Sequence, residues 1–182
     1  MARVPYFQQS DLSETDRDLL ARDINLNRAL VNSPNGARAF SRLGGFIRNR
    51  SRLDPRLREM AILQVGYLTR SRYEYSHHIK IGREFGISDD DIRAIAAESA
   101  AEGSGLGELE RAVLTAAREM VSGLAISDLT FSILKASLDD ECLVDLVITI
   151  SFYCGVVRLL ATLEIEVEPE YLGYLDEFPL PA

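Results

Sequence analysis

Cysteine and histidine are scarce in this sequence. Its 182 residues include two of each: Cys142 and Cys154, His77 and His78. Both cysteines fall in one apolar stretch that reads as helix. Twelve residues along a helix is about 18 Å, too far for a disulfide within the chain. They are expected to be core thiols in a reducing compartment. No run reaches the roughly 18 apolar residues that a membrane span requires. The N-terminus, MARVPYFQQSD, lacks the apolar region of a signal peptide. The expected location is therefore cytoplasmic, with no membrane partner. No pair of strands joined by a hairpin turn is visible, and no repeat of fixed period.

Positive charge is also in short supply. Twenty basic side chains face 28 acidic ones, for a net charge of −8 and a pI of about 4.8. That balance argues against nucleic acid, whose phosphates demand clustered positive charge. The basic residues are nearly all arginine, and they are concentrated early. Residues 1–93 hold 16 basic and 12 acidic side chains, whereas 94–182 hold 4 and 16. This is either ordinary solvated surface or two opposite faces through which copies associate.

What is present is helical periodicity. A chain of this length fits one domain and needs no disulfide or metal to fold. The fold class read from it is all-α, a single-domain helical bundle. Residues 1–36 read as an N-terminal arm and a helix, capped by Ser10 or Ser13 and running to about Asn27, with Ser13 and Asp16 at capping-box spacing. Residues 37–163 read as the main helical domain, and 164–182 as an acidic tail over the surface or a partner. Asp54-Pro55 is a strong helix start, and Thr69-Arg70 breaks that helix. Ser71 opens the next, which Gly86 closes. Ser88 and Asp91 repeat the capping-box spacing, and Ser127 and Asp139 head later helices. The segment Glu141 to Leu163 is apolar nearly all round, which predicts a central, buried helix.

The stretch from Leu53 to Gly86 holds the candidate chemistry. Glu59, Ser71, Glu74 and His78 follow one another at offsets of 12, 3 and 4 residues. The offset of four puts Glu74 and His78 on one helix face. A carboxylate there can hold one imidazole nitrogen and leave the other for a substrate. Alternatives exist for each residue. Ser71 and Glu74 also have the spacing of a capping box, Glu59 could pair with Arg52 or Arg56, and His78 could be a satisfied core histidine. Glu59, Glu74 and His78 could also offer three ligands to a metal. His77, one residue from His78, is expected on the surface or at an interface.

Arg58-Glu59-Met60-Ala61-Ile62-Leu63, followed by Tyr73-Glu74-Tyr75-Ser76-His77-His78, resembles the carboxymuconolactone decarboxylase family, which also contains alkylhydroperoxidase D. The resemblance runs from about Leu53 to Gly123, and the Asp139–Leu163 helix is similar to the last helix of longer members. Redox members carry Glu, then Cys-x-x-Cys, then His four residues after the second cysteine. On that spacing Glu59 and His78 fall on the proton-relay positions, while Ser71 and Glu74 fall where the two cysteines belong. Thiol peroxidase chemistry would lack its nucleophile and its resolving partner. Decarboxylase members carry Glu-x-x-x-His on one helix, which Glu74 and His78 match.

The resemblance implies a lyase, acting as a decarboxylase or on a lactone, with a small organic acid as substrate. Glu59, Glu74 and His78 would be catalytic, and Ser71, Tyr75 and Arg158 substrate-binding. No cofactor or metal is expected. Family members assemble as trimers or hexamers, so homo-oligomers are expected. The alternative is a non-catalytic small-molecule-binding member, or one for which peroxidase is a family label only.

Overall fold

The computed structural model describes residues 1–181, and among them there are nine α-helices and no strand. The chain begins as an extended arm. Phe7 N–H donates to the Arg28 carbonyl, and Arg3 N–H to that of Leu163, so the arm crosses the far end of the last long helix. The helix expected over 13–27 does not form. Two short 3-10 turns, Gln9–Asp11 and Arg17–Leu20, precede α1, Asn25–Leu30. Residues 14–23 are mostly charged, and their few apolar side chains do not make a continuous helical stripe; Leu20, with Leu12, is buried instead in a small cluster with Val31 and Ala37. Those charges serve another purpose: Asp16 and Asp18 both pair with Arg38 on α2, Pro34–Asn49.

Helix α3, Pro55–Leu68, opens with the Asp54 carboxylate accepting from Leu57 N–H, a cap of about 1 kcal/mol. Every residue from Leu57 to Gly66 is buried, and α3 touches α4, α5, α6 and α8. It is the axis of the bundle. Arg70, with φ at 51°, turns the chain into α4, Arg72–Glu84. Gly66 permits the closeness of that hairpin: a Cβ there would lie 3.2 Å from the Tyr75 backbone nitrogen. The bundle continues with α5, Asp89–Ser99; α6, Glu108–Ser122; and α7, Asp128–Ser137. The capping box at Ser88 and Asp91 is complete in both directions.

Helix α8, Asp140–Leu163, is not the fully buried element that its composition predicts. One stripe, including Leu146, Ile150, Tyr153 and Val157, packs inward, while Val144, Ser151, Gly155 and Arg158 are exposed. By length and a mean hydropathy of 2.0 this helix alone among the described residues is apolar enough to cross a membrane. Its inner stripe is spent on the bundle core, and its buried Asp145 accepts from Ser51 Oγ at 2.6 Å. Burial all round belongs instead to α3, whose Arg58, Glu59 and Gln64 disguise it in sequence.

Residues 164–181 fold back onto the bundle. After a 3-10 turn at Pro169–Tyr171 comes α9, Leu172–Glu177, which packs on α4. Ile165, Glu168, Tyr171 and Phe178 are buried there.

Candidate active site

The α3–α4 hairpin brings Glu59 and His78 face to face. His78 Nδ1–H donates to Glu59 Oε2 at 2.7 Å. The other Glu59 oxygen accepts from Arg58 Nε at 3.0 Å. One turn before His78 on α4, Glu74 Oε1 lies 2.9 Å from His78 Nε2, an ion-pair contact. Arg58, Glu59, Glu74 and His78 are all at most 4 % exposed. The four form a line of alternating charge that sums to zero when the imidazole is protonated. Neutrality matters, because an uncompensated charge at this depth costs several kcal/mol.

Burial is the largest influence on the His78 ring and by itself would push its pKa down. The charges of Glu59 and Glu74, and the contacts they make, outweigh it and push the pKa up to about 9. Burial likewise opposes ionisation of Glu59, but His78 and Arg58 together hold its carboxyl below the usual range. His78 is therefore an imidazolium at neutral pH, clamped between two carboxylates.

A cavity of about 250 Å³ opens beside this line. Glu74 and His78 line it and Glu59 does not; Glu59 backs the Nδ1 edge of the imidazole and Glu74 meets the Nε2 edge. The remaining walls come from other residues of α4, from α1, α2 and α8, and from the segment before α1. Phe40 and Phe152 form a tilted pair with centroids 4.8 Å apart. Tyr153 meets the His78 ring edge-on at 5.0 Å. Its phenol is driven strongly toward the neutral form, by burial first and then by the charges of Glu74 and Glu59.

The sequence-predicted residues divide cleanly. Glu59, Glu74 and His78 meet; Ser71, Tyr75 and Arg158 do not line the cavity. Ser71 is the N-cap of α4, accepting from Glu74 N–H at 3.5 Å. The reciprocal half of that capping box is missing, because the Glu74 side chain turns to His78 instead. Tyr75 is sealed in the core against Tyr67. Arg158 is on the exposed face of α8, donating back to the Cys154 carbonyl. Neither cysteine lines the cavity, and burial pushes both thiols up.

His77 is not at the surface. Its ring lies between Tyr73 and Tyr171, at centroid distances of 4.0 and 3.7 Å. Nδ1–H donates to the Tyr73 carbonyl at 2.8 Å, and Nε2 lies 3.1 Å from Glu168 Oε2 without hydrogen-bond alignment. Glu168 also accepts from Tyr73 Oη–H and from Asn25 N–H. The C-terminal segment thus covers the face that spacing alone had left open. Among the described residues, no three His, Cys, Asp or Glu side chains are arranged to hold a metal ion.

The same all-helical bundle is found in solved structures of AhpD-like proteins. The chain superposes on an uncharacterised peroxidase-related protein from Ralstonia eutropha JMP134, an alkylhydroperoxidase AhpD core, with a TM-score of 0.78 and 19% identity over 93% of this chain and 94% of that one. A cysteine-to-alanine variant of the debrominase Bmp8, in complex with 2,3,4-tribromopyrrole, gives a TM-score of 0.81 at 18% identity, covering 98% of each chain. A peroxidase-related protein from Silicibacter sp. TM1040 gives 0.73 at 17% identity, covering 94% and 93%. Identities this low speak for the fold alone. No curated protein matches the sequence. Residues 34–119 match the model of the Carboxymuconolactone decarboxylase family, a span that begins with α2 and ends in α6. Over those residues the chain is similar to the Carboxymuconolactone decarboxylase family, and its fold is that of the AhpD-like structures.

Proposed function

We propose that this protein is a non-redox acid–base enzyme, a decarboxylase or lactone-acting lyase, working on a small organic acid. The observation that carries this reading is the Glu59–His78–Glu74 line ending on a cavity, with an imidazolium and a carboxylate side by side at its wall. Glu59 fixes the ring and its charge. His78 Nε2–H is the acid, placed to stabilise and protonate an enolate as it forms. Glu74 is the base, positioned to accept a proton from the bound substrate. In a decarboxylation the carbon–carbon bond breaks, carbon dioxide leaves, and the electron pair enters the enolate that His78 then protonates. Solvent reprotonates the ring.

Nothing in this scheme uses a thiol, in keeping with Ser71 and Glu74 at the positions where redox relatives carry cysteine. The reading is tested by screening small acids and lactones with wild type, His78→Ala and Glu74→Gln. A substrate turned over by wild type and at least 100-fold more slowly by both variants supports it. Equal turnover by all three rejects it. One observation favours a second reading, a binding protein without turnover: the charge line is neutral in itself and needs no substrate charge to complete it. Tight binding of acids that are never converted would support that alternative.

A further inference from the structure

The cavity has a second charged feature that the acid–base line does not use. Two arginines line it, Arg48 near the C-terminal end of α2 and Arg22 in the turn before α1. Both side chains are partly buried. Among the described residues neither guanidinium has a hydrogen-bond or ion-pair partner. Arginines elsewhere on this side of the protein are matched, Arg28 with Asp23, Arg38 with Asp16 and Asp18, and Arg52 with Asp139 and Glu141, although Arg42 and Arg50, outside the cavity, are not. In a protein of net charge −8, two unmatched guanidinium groups on one small cavity are a local excess of positive charge. Since the acid–base line is internally neutral, it does not cancel that excess.

A third donor lies on the same cavity. Tyr153 is 7 % exposed, yet its hydroxyl has no partner among the described residues. Arg48 and Tyr153 line the same cavity. Between these donors and the histidine the lining is apolar, with Phe40, Phe152 and Val156. A volume of about 250 Å³ falls below the roughly 300–1,000 Å³ typical of small-molecule sites. It fits a ligand of one ring with a charged substituent.

Arg48 is also fixed relative to the acid–base line. Its backbone carbonyl accepts from Arg58 Nη1 at 3.1 Å, and Arg58 in turn holds Glu59. The end of α2 is pinned from the other side, where Asp145 on α8 accepts from Ser51 Oγ and Arg52 N–H. The guanidinium therefore projects from a backbone held at a set position with respect to His78.

We infer that Arg48, seconded by Arg22 and the Tyr153 hydroxyl, is the anion anchor of this cavity, and that its ligand is a compact ring carboxylate. The carboxylate sits at Arg48 and the ring lies against Phe40 and Phe152. The expected role of Arg158 passes to Arg48, a residue on a different helix. The inference rests on the proposed acid–base reading only for what happens after binding; the anchoring itself is independent of turnover.

The test uses 4-fluorobenzoate and its uncharged counterpart 4-fluorobenzamide as probes, with binding read by fluorine NMR and calorimetry on the full chain. Wild type should bind the acid at least tenfold more tightly than the amide, since a charge-assisted pair is about twice as strong as a neutral one. Arg48→Gln should weaken acid binding at least tenfold and leave amide binding unchanged, whereas Arg48→Lys should recover part of the loss. Glu74→Gln should bind the acid as well as wild type or better, even where it abolishes turnover. Equal binding of acid and amide by wild type overturns the anchor, and so does undiminished acid binding by Arg48→Gln. Failure of the acid–base reading looks different: turnover survives in Glu74→Gln while the preference for acid over amide persists.

Discussion

His78 Nε2 lies 2.9 Å from Glu74 Oε1, one turn earlier on the same helix. In an isolated helix such a pair is worth only a few tenths of a kcal/mol. Here both side chains are buried and Glu59 faces the opposite edge of the ring. The pair therefore carries a pH dependence that a surface pair would not. The ordinary histidine value of 6.5 rises to about 9 on folding. A raised folded value contributes stability that is complete below the unfolded pKa and lost as pH climbs through the folded one. Wild type should thus lose on the order of 3 kcal/mol between pH 6.5 and 9.5. Glu59, whose carboxyl is held low, contributes above its unfolded value and loses that contribution on acidification. Urea midpoints at pH 6 and pH 9.5 read the alkaline loss, and His78→Asn should abolish it.

Arg58 is the far end of the charge line, 2 % exposed, with its guanidinium 4.5 Å from the Phe85 ring centroid. Arg58→Met keeps the volume and removes the charge. Glu59 is then left with one partner fewer in the core, so destabilisation of about 3–5 kcal/mol is expected. Chemical denaturation at pH 7 measures it. A loss below 1 kcal/mol would mean that Glu59 does not need its arginine.

Ser71 separates structure from chemistry at one residue. It caps α4 and does not line the cavity. Ser71→Ala should cost about 0.5–1 kcal/mol and leave the affinity for 4-fluorobenzoate unaltered. Should affinity fall tenfold with stability unchanged, Ser71 belongs to the site after all.

Gly44 on α2 lines the cavity, and a Cβ there would rest 3.8 Å from the Phe152 ring. Gly44→Ala removes a helix-interior glycine without crowding, so a gain of about 0.5–1 kcal/mol is expected. Gly44→Leu extends further along the same direction, into the space beside Phe152. It should remain folded and lose ligand binding, which thermal melts with and without 4-fluorobenzoate will show.

The parts of this fold that were legible in the sequence are the local ones. Asp54, Ser88, Ser127 and Asp139 each cap the helix they head, because capping depends on residues three apart. Glu74 and His78 share a face for the same reason, and the family resemblance added Glu59. The other cavity walls were not legible. Arg48, Phe40 and Tyr153 come from α2 and α8, and no spacing rule links residues a hundred positions apart. His77 illustrates the point: its burial depends on Tyr171, which stacks on it from 94 residues later in the chain. Burial of α3 was hidden because Arg58, Glu59 and Gln64 interrupt its apolar pattern; the first two pair with each other and Gln64 with Ser99 of α5, which makes such burial possible.

The most direct measurement is the titration of His78 by nitrogen-15 NMR, with His77→Asn used to assign the two rings. If two carboxylates clamp the ring, wild-type His78 stays doubly protonated through neutral pH and titrates near 9. In Glu74→Gln the titration should move downward, since one of the two charges that raise it is gone. A wild-type ring that titrates at or below 6.5, or one that Glu74→Gln does not shift, would contradict the charge line on which the proposed chemistry depends.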